Sequence, residues 1–85
     1  MQAKAILEAI SDLARTRLGW AGGALAPEMR LVEDLNLDSI RLLTLATEVE
    51  NRFRILLDEA DELAIETVGD LIAIVERKLE PRFGG

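Results

Sequence analysis

The chain has 85 residues and a formal net charge of −6, and it contains neither Cys nor His. This length allows one small domain over residues 1–85, and the acidic surface repels nucleic acid and anionic membranes but attracts partners with basic patches. The composition excludes disulfides, a thiol nucleophile and the commonest metal ligand, so no metal site is expected.

The first predicted helix covers residues 3–18. Its apolar residues recur every three or four positions, which is the period of an amphipathic helix, and Gly19 ends it. We expect Trp20 to pack against the end of this helix. The connection over residues 19–38 is long, and four apolar side chains near its end should pin it to the core: Leu31, Val32, Leu35 and Leu37.

The second predicted helix covers residues 39–53. Asp38 precedes it and is a good N-cap residue. The helix is rich in apolar side chains, and their spacing predicts one broad apolar face: Ile40, Leu42, Leu43, Leu45, Ala46, Val49 and Phe53.

A short third helix is predicted over residues 59–65 and a last helix over 67–80, ended by Pro81. Thr67, followed three residues later by Asp70, resembles a capping box. An acidic run surrounds the short helix and is open to two interpretations, a solvated helix face or a partner contact: Asp58, Glu59, Asp61, Glu62 and Glu66. No repeat, strand alternation, signal peptide or membrane-spanning run is visible, so the sequence predicts a soluble, cytoplasmic, monomeric all-α protein.

One motif points to chemistry. Ser39 follows the long loop and stands in the first turn of the second helix, where free N–H groups and a partial positive charge favour an attached phosphate. Taken alone, Asp38-Ser39 before an apolar residue is a common pattern and is more often an ordinary helix cap.

The surrounding pattern resembles the acyl carrier protein family. Asp38-Ser39-Ile40 stands where the family shows Asp-Ser-Leu, and Val32-Glu33-Asp34-Leu35 is similar to the segment before the modified serine. The resemblance continues through Phe53 and Ile65 to the Thr67-Val68 start of the last helix. It implies a small four-helix bundle of the acyl-carrier type, with three longer helices, a short third helix and a long first loop.

The resemblance also implies a carrier function without catalysis by the chain itself. Ser39 would receive 4′-phosphopantetheine from coenzyme A through a phosphopantetheinyl transferase that recognises Asp38. The terminal thiol of that arm would hold cargo as a thioester, which is compatible with the lack of Cys. Further partners would be acyl-loading, synthase or acyltransferase enzymes. The residues expected to line a cargo pocket are Ile40, Leu43, Ala46, Val49, Leu57 and Ile65.

The polar surface of the second helix departs from the family pattern. Arg41 and Thr44 stand where acidic residues are usual, whereas Glu48 and Glu50 remain, and these four are the expected partner-docking residues. The departure predicts a specialised fatty-acid, lipid or polyketide pathway. Two further apolar residues stand where typical carriers are polar, and whether they pack inside or form a docking patch is open: Leu56 and Leu63.

Three alternatives remain at this point. Asn36-Leu37-Asp38-Ser39 favours an acyl carrier over a peptidyl carrier, which usually shows Gly-Gly-x-Ser, but an aminoacyl carrier stays open. An unmodified helical interaction module would use the acidic surface alone. A small enzyme would have to rely on carboxylates, and the calcium-loop and P-loop patterns are absent.

Overall fold

A computed structural model describes residues 3–79, and four α-helices account for most of this range. They are α1 (Ala3–Arg17), α2 (Ser39–Phe53), α3 (Glu59–Ala64) and α4 (Val68–Leu79). Within the same range there is no β-strand, only an isolated bridge. The predicted small all-α bundle with a short third helix is confirmed.

Three helix ends differ from the prediction by one residue, and each has a local cause. The N–H groups of Leu18 and Trp20 both donate to the carbonyl oxygen of Ala14, so the chain turns away after Arg17. The backbone of Ile65 is extended and ends α3 one residue early. Thr67 caps α4 instead of opening it. The predicted end of α4 at residues 80–81 lies outside the described residues.

Apolar side chains from three helices and the long loop form the core. α1 packs against both α4 and α2. The buried side chains at the centre are Ile6, Ile10, Leu13, Ala14, Leu45, Val49, Phe53, Val68, Leu71, Ile72 and Val75. Trp20 is half-buried against this core, and it borders a hollow with Leu7 and Ser11 of α1.

The long loop is attached to the start of α4 by backbone hydrogen bonds. The N–H of Leu31 donates to Glu66 at 3.0 Å, and the N–H of Val68 donates to Met29 at 2.9 Å. The backbones of the loop and α4 come closest at Gly69. A Cβ on this residue would lie only 3.0 Å from the carbonyl oxygen of Pro27. These bonds fix where the loop delivers the chain to α2.

The expected pinning of the loop holds at three of four positions. Leu31, Leu35 and Leu37 are buried, whereas the prediction is wrong for Val32, whose surface is 56% exposed. The N–H of Asp34 donates to the carbonyl oxygen of Arg30, so this stretch makes a helical turn. Residues 31 and 35 then share one side of the turn, and Val32 faces away from it.

Capping interactions fix the two C-terminal helices. The Thr67 hydroxyl accepts from the N–H of Asp70, and an Asp70 oxygen accepts from the N–H of Thr67. The predicted capping box is thereby confirmed, and an equivalent box joins Asp58 and Asp61 at α3. Asp61 is buried and pairs with Lys78 of α4 at 2.9 Å, so it is neither a solvated nor a partner-facing member of the acidic run.

Candidate functional site

Ser39 is the first residue of α2, and its side chain is exposed. Asp38 caps the helix, because its Oδ1 accepts a hydrogen bond from the N–H of Arg41 at 2.8 Å. The backbone oxygen of Asp38 accepts from Leu42 at 2.9 Å. Within residues 3–79, the N–H groups of Ser39 and Ile40 make no hydrogen bond. The hydroxyl of Ser39 therefore stands beside unpaired donors at the positive end of a helix.

This arrangement fits a phosphate-linked group on Ser39. The two unpaired N–H groups can donate to phosphate oxygens, and the 15-residue helix places its partial positive charge at the same end. The hydroxyl is exposed, so an enzyme can approach it. A phosphopantetheine group would supply a terminal thiol, a nucleophile that the chain lacks.

An apolar cavity of about 380 Å³ opens next to Ser39, between α2 and α3. Three of the residues expected to line a cargo pocket border it, namely Leu43 and Ala46 from α2 and Ile65 at the end of α3. Its remaining lining is supplied by Leu31, Leu42, Leu45, Glu62 and Leu71.

The other three expected pocket residues do not border the cavity. Ile40 is 76% exposed on the outer side of α2. Val49 lies in the core, and Leu57 is buried in the connection before α3. For Ile40 and Val49 the difference arises because α2 divides its apolar residues between two sides, which helical spacing alone did not separate. Leu57 lies outside α2, where its N–H donates to Glu50 at 2.7 Å.

Residues from the loop and from α4 complete the cavity, and the sequence did not point to them. Leu31 reaches it because the loop is bonded to Glu66, a contact between distant parts of the chain. Leu71 is a core residue of α4 that also borders the cavity. Leu42, three residues after Ser39 on the same helix face, could have been found from spacing.

The four expected docking residues lie in different environments. Arg41 is exposed, and within residues 3–79 it makes no ion pair. The hydroxyl of Thr44 donates to the carbonyl oxygen of Ile40 at 3.0 Å. Glu48 lies 3.4 Å from Arg17 of α1, and Glu50 accepts from the N–H of Leu57 at 2.7 Å. Both carboxylates of α2 therefore contact other parts of the chain.

The open question about Leu56 and Leu63 is answered by their exposure. Leu56 is 80% exposed and Leu63 is 79% exposed, so neither packs inside. Leu56 borders an open hollow with Arg54 and Lys78. This hollow lies at the C-terminal end of α2, the end opposite to Ser39, and α2 is about 20 Å long at the usual helical rise.

Residues 3–79 contain neither a candidate metal centre nor a membrane-spanning helix. No group of three or more carboxylates there could hold a metal ion. No helix in that range is both long and apolar enough to cross a membrane.

Comparisons with known proteins agree with this geometry. A family model described as "Phosphopantetheine attachment site" matches residues 8–75. An acyl carrier protein of Thermotoga maritima is 32% identical over 74 residues, which are 87% of this chain and 91% of that protein.

A solved structure and a second relative agree as well. A crystal structure of an acyl carrier protein from Thermotoga maritima superposes with a TM-score of 0.84 at 28% identity, covering 93% of this chain and 92% of the other. The meromycolate extension acyl carrier protein of Mycobacterium tuberculosis is 25% identical over 72 residues, which are 85% of this chain and 63% of that protein.

Proposed function

The chain belongs to the acyl carrier protein family, whose prosthetic group is phosphopantetheine, and on that premise we propose that Ser39 is the attachment point. A phosphopantetheinyl transferase brings coenzyme A to this residue. The Ser39 oxygen forms a bond to the phosphorus next to the pantetheine, and the bond from that phosphorus to the adenosine phosphate portion breaks. The serine proton passes to a base on the transferase.

A single observation supports this assignment most strongly. The exposed Ser39 hydroxyl lies at an open helix N-terminus and also borders the apolar cavity. An acyl chain held by the arm on Ser39 would find an apolar wall in this cavity, which includes Leu43, Ala46 and Ile65. The chain acts as a carrier and not as an enzyme, as its family membership shows.

Asp38 has two roles in this proposal. Its Oδ1 caps α2, while the carboxylate remains exposed beside Ser39. The exposed carboxylate is where the transferase recognises the site. Both roles use the same side chain, so one substitution that keeps the cap and removes the charge can separate them.

The pathway is a specialised one, in fatty-acid, lipid or polyketide synthesis. Arg41 offers a cation near Ser39, and Glu48 and Glu50 are engaged within the chain. Such a surface suits different synthases and acyltransferases from those that dock on an acidic α2. The similarity to a meromycolate extension carrier supports a lipid pathway.

Mass spectrometry tests the attachment point. The protein is incubated with coenzyme A and a broad-specificity transferase, and its intact mass should rise by one arm. Ser39→Ala should gain nothing, whereas Ser11→Ala, at the other serine of the chain, should be modified like the wild type. Modification of Ser39→Ala would overturn the assignment.

A kinetic comparison tests the pathway. The loaded protein is supplied to the fatty-acid elongation enzymes of its host, next to the housekeeping carrier. We expect much slower elongation than with the housekeeping carrier. Equal rates would contradict a specialised pathway while leaving Ser39 as the attachment point.

A further inference from the structure

A second hollow lies beside the cavity next to Ser39. Its volume is about 330 Å³, and Arg30, Val32 and Glu33 of the long loop border it. The cavity and the second hollow have three lining residues in common, which we call the partition: Leu31, Leu42 and Ile65. The partition therefore has a space on each of its two sides.

Two members of the partition are held in place by backbone hydrogen bonds. Leu31 is 2% exposed, and its N–H donates to the carbonyl oxygen of Glu66 at 3.0 Å. Ile65 follows α3 directly, and its N–H donates to the carbonyl oxygen of Glu62 at 3.3 Å. Neither residue can withdraw its backbone without the loss of a hydrogen bond, so these two walls are fixed.

Leu42 is the member of the partition that lies nearest to Ser39 along the chain. It is half-buried against the core and stands three residues after Ser39, so the two side chains are neighbours on the surface of α2. Leu43 stands four residues after Ser39 and borders the cavity, but it does not border the second hollow. The side chain of Leu42, and not that of Leu43, thus separates the two spaces.

The loop side of the second hollow is held by polar contacts. The guanidinium group of Arg30 lies 3.1 Å from the carboxylate of Glu33, and the N–H of Arg30 donates to the carboxylate of Asp34 at 2.7 Å. Val32 adds an apolar side chain that is 56% exposed. Together with the partition, Val32 gives the second hollow an apolar lining, against which carbon atoms are removed from water.

We propose that Leu42 limits the length of the acyl cargo, because its side chain closes the cavity against the second hollow. A straight acyl chain fills the cavity of about 380 Å³ as far as the partition, and carbon atoms beyond that length stay in water. The inference rests on the proposed attachment at Ser39, since the arm held there brings the cargo to the cavity. Leu42 is then a specificity-determining residue for chains of limited length.

Urea unfolding of the acylated protein tests this inference. A broad-specificity transferase attaches arms that carry straight acyl chains, and each added carbon that the cavity buries should favour the folded form about fourfold. The urea midpoint of wild type should therefore rise with chain length and then stop rising. In Leu42→Ala the rise should continue for about two carbons or more beyond the wild-type limit, because the substitution joins the two spaces. Each acylated form is compared with the same variant carrying an arm without cargo, so that the cost of the truncation itself cancels.

Two further variants make the test specific. Leu43→Ala is the matched control, because it removes the same atoms from the next residue of α2 and from the lining of the cavity alone. Its limit should equal that of wild type. Val32→Trp, added to Leu42→Ala, fills the second hollow from an exposed position and should bring the limit back to that of wild type.

The outcomes also separate this inference from the attachment itself. If the transferase adds no arm to wild type, the proposed function fails. If the arm is added at Ser39 and Leu42→Ala stops at the wild-type limit, or Leu43→Ala exceeds that limit as far as Leu42→Ala does, the role of Leu42 is refuted and the attachment stands. If no chain length raises the midpoint of modified wild type, the cargo stays outside the cavity and the inference is refuted in the same way.

Discussion

The carboxylate of Asp61 in α3 lies 2.9 Å from the ammonium group of Lys78 in α4. Arg77 approaches the other oxygen of Asp61 at 3.0 Å. The same carboxylate accepts from the N–H of Asp58 and completes the capping box of α3. α3 has six residues, so this contact with α4 helps to hold one wall of the cavity beside Ser39.

Asp61 should make the fold sensitive to acid. The hydrogen bond from Lys78, and after it that from the N–H of Asp58, holds the pKa of Asp61 below its ordinary value of 3.8. A lowered folded-state pKa gives stability that is complete above the unfolded value and is lost as the pH falls through the folded one. Asp61→Asn should therefore be less stable at neutral pH and lose less stability on acidification.

Urea unfolding at a series of pH values from neutral to about 2 measures this effect, since the pH range must span both states of the carboxyl group. Glu62→Gln is the control, because Glu62 is the next residue of α3, is exposed and forms no ion pair within residues 3–79. Its pH profile should follow wild type. If Asp61→Asn lost as much stability as wild type between neutral pH and about 2, the role given to Asp61 would be refuted.

The two roles proposed for Asp38 can be separated by substitution. Asn caps helices about as well as Asp, whereas Ala costs about 1 kcal/mol at an N-cap. Asp38→Asn should keep the free energy of unfolding and slow modification of Ser39, and Asp38→Ala should lower both. Urea unfolding and transferase kinetics provide the measurements. If Asp38→Asn were modified as fast as wild type, the transferase would not recognise the charge of Asp38.

The left-handed backbone at the end of α2 offers a stabilising substitution. Arg54 has φ 57° and ψ 49°, a conformation that costs a residue with a Cβ about 1–2 kcal/mol and glycine almost nothing. Arg54→Gly should raise the free energy of unfolding by about 1 kcal/mol. Arg52→Gly, inside the last turn of α2, should lower it by about the same amount. If both glycine substitutions changed the free energy of unfolding by the same amount and in the same direction, the backbone at Arg54 would not be strained.

Apolar residues of α2 are divided between a buried side and an exposed side. Shortening a leucine to alanine should therefore lower the free energy of unfolding by different amounts on the two sides. Leu45 is 2% exposed, so Leu45→Ala should cost about 2–5 kcal/mol through lost burial and the space left behind. Leu43 is 61% exposed, and Leu43→Ala should cost about 0.5 kcal/mol or less. Chemical denaturation of the two variants is the comparison. Similar losses would show that the two leucines share one buried face.

Local signals made much of the fold predictable. The three-and-four spacing of apolar residues gave α1 and α4, and Asp38 and the pair Thr67 and Asp70 marked two helix starts. The capping box of Asp58 and Asp61 has the same three-residue spacing. Because both residues belong to an acidic run, the sequence indicates surface charges there and does not predict their capping role.

What the sequence could not supply depends on contacts between distant segments. Leu43 and Leu45 are both apolar and differ in burial because of what lies opposite each side of α2. Leu31 enters the cavity because of a backbone bond to Glu66. Glu50 looked available for docking, yet the N–H of Leu57, seven residues away, occupies its carboxylate. Helical periodicity within one element carries no information on such partners.

Peptide mapping by mass spectrometry of the protein purified from its own host tests the central claim most directly. The account predicts a phosphopantetheine arm, free or acylated, on the peptide that contains Ser39, and an unmodified peptide around Ser11. A protein in which the Ser39 peptide is bare, or in which the arm is attached to another residue, would contradict it.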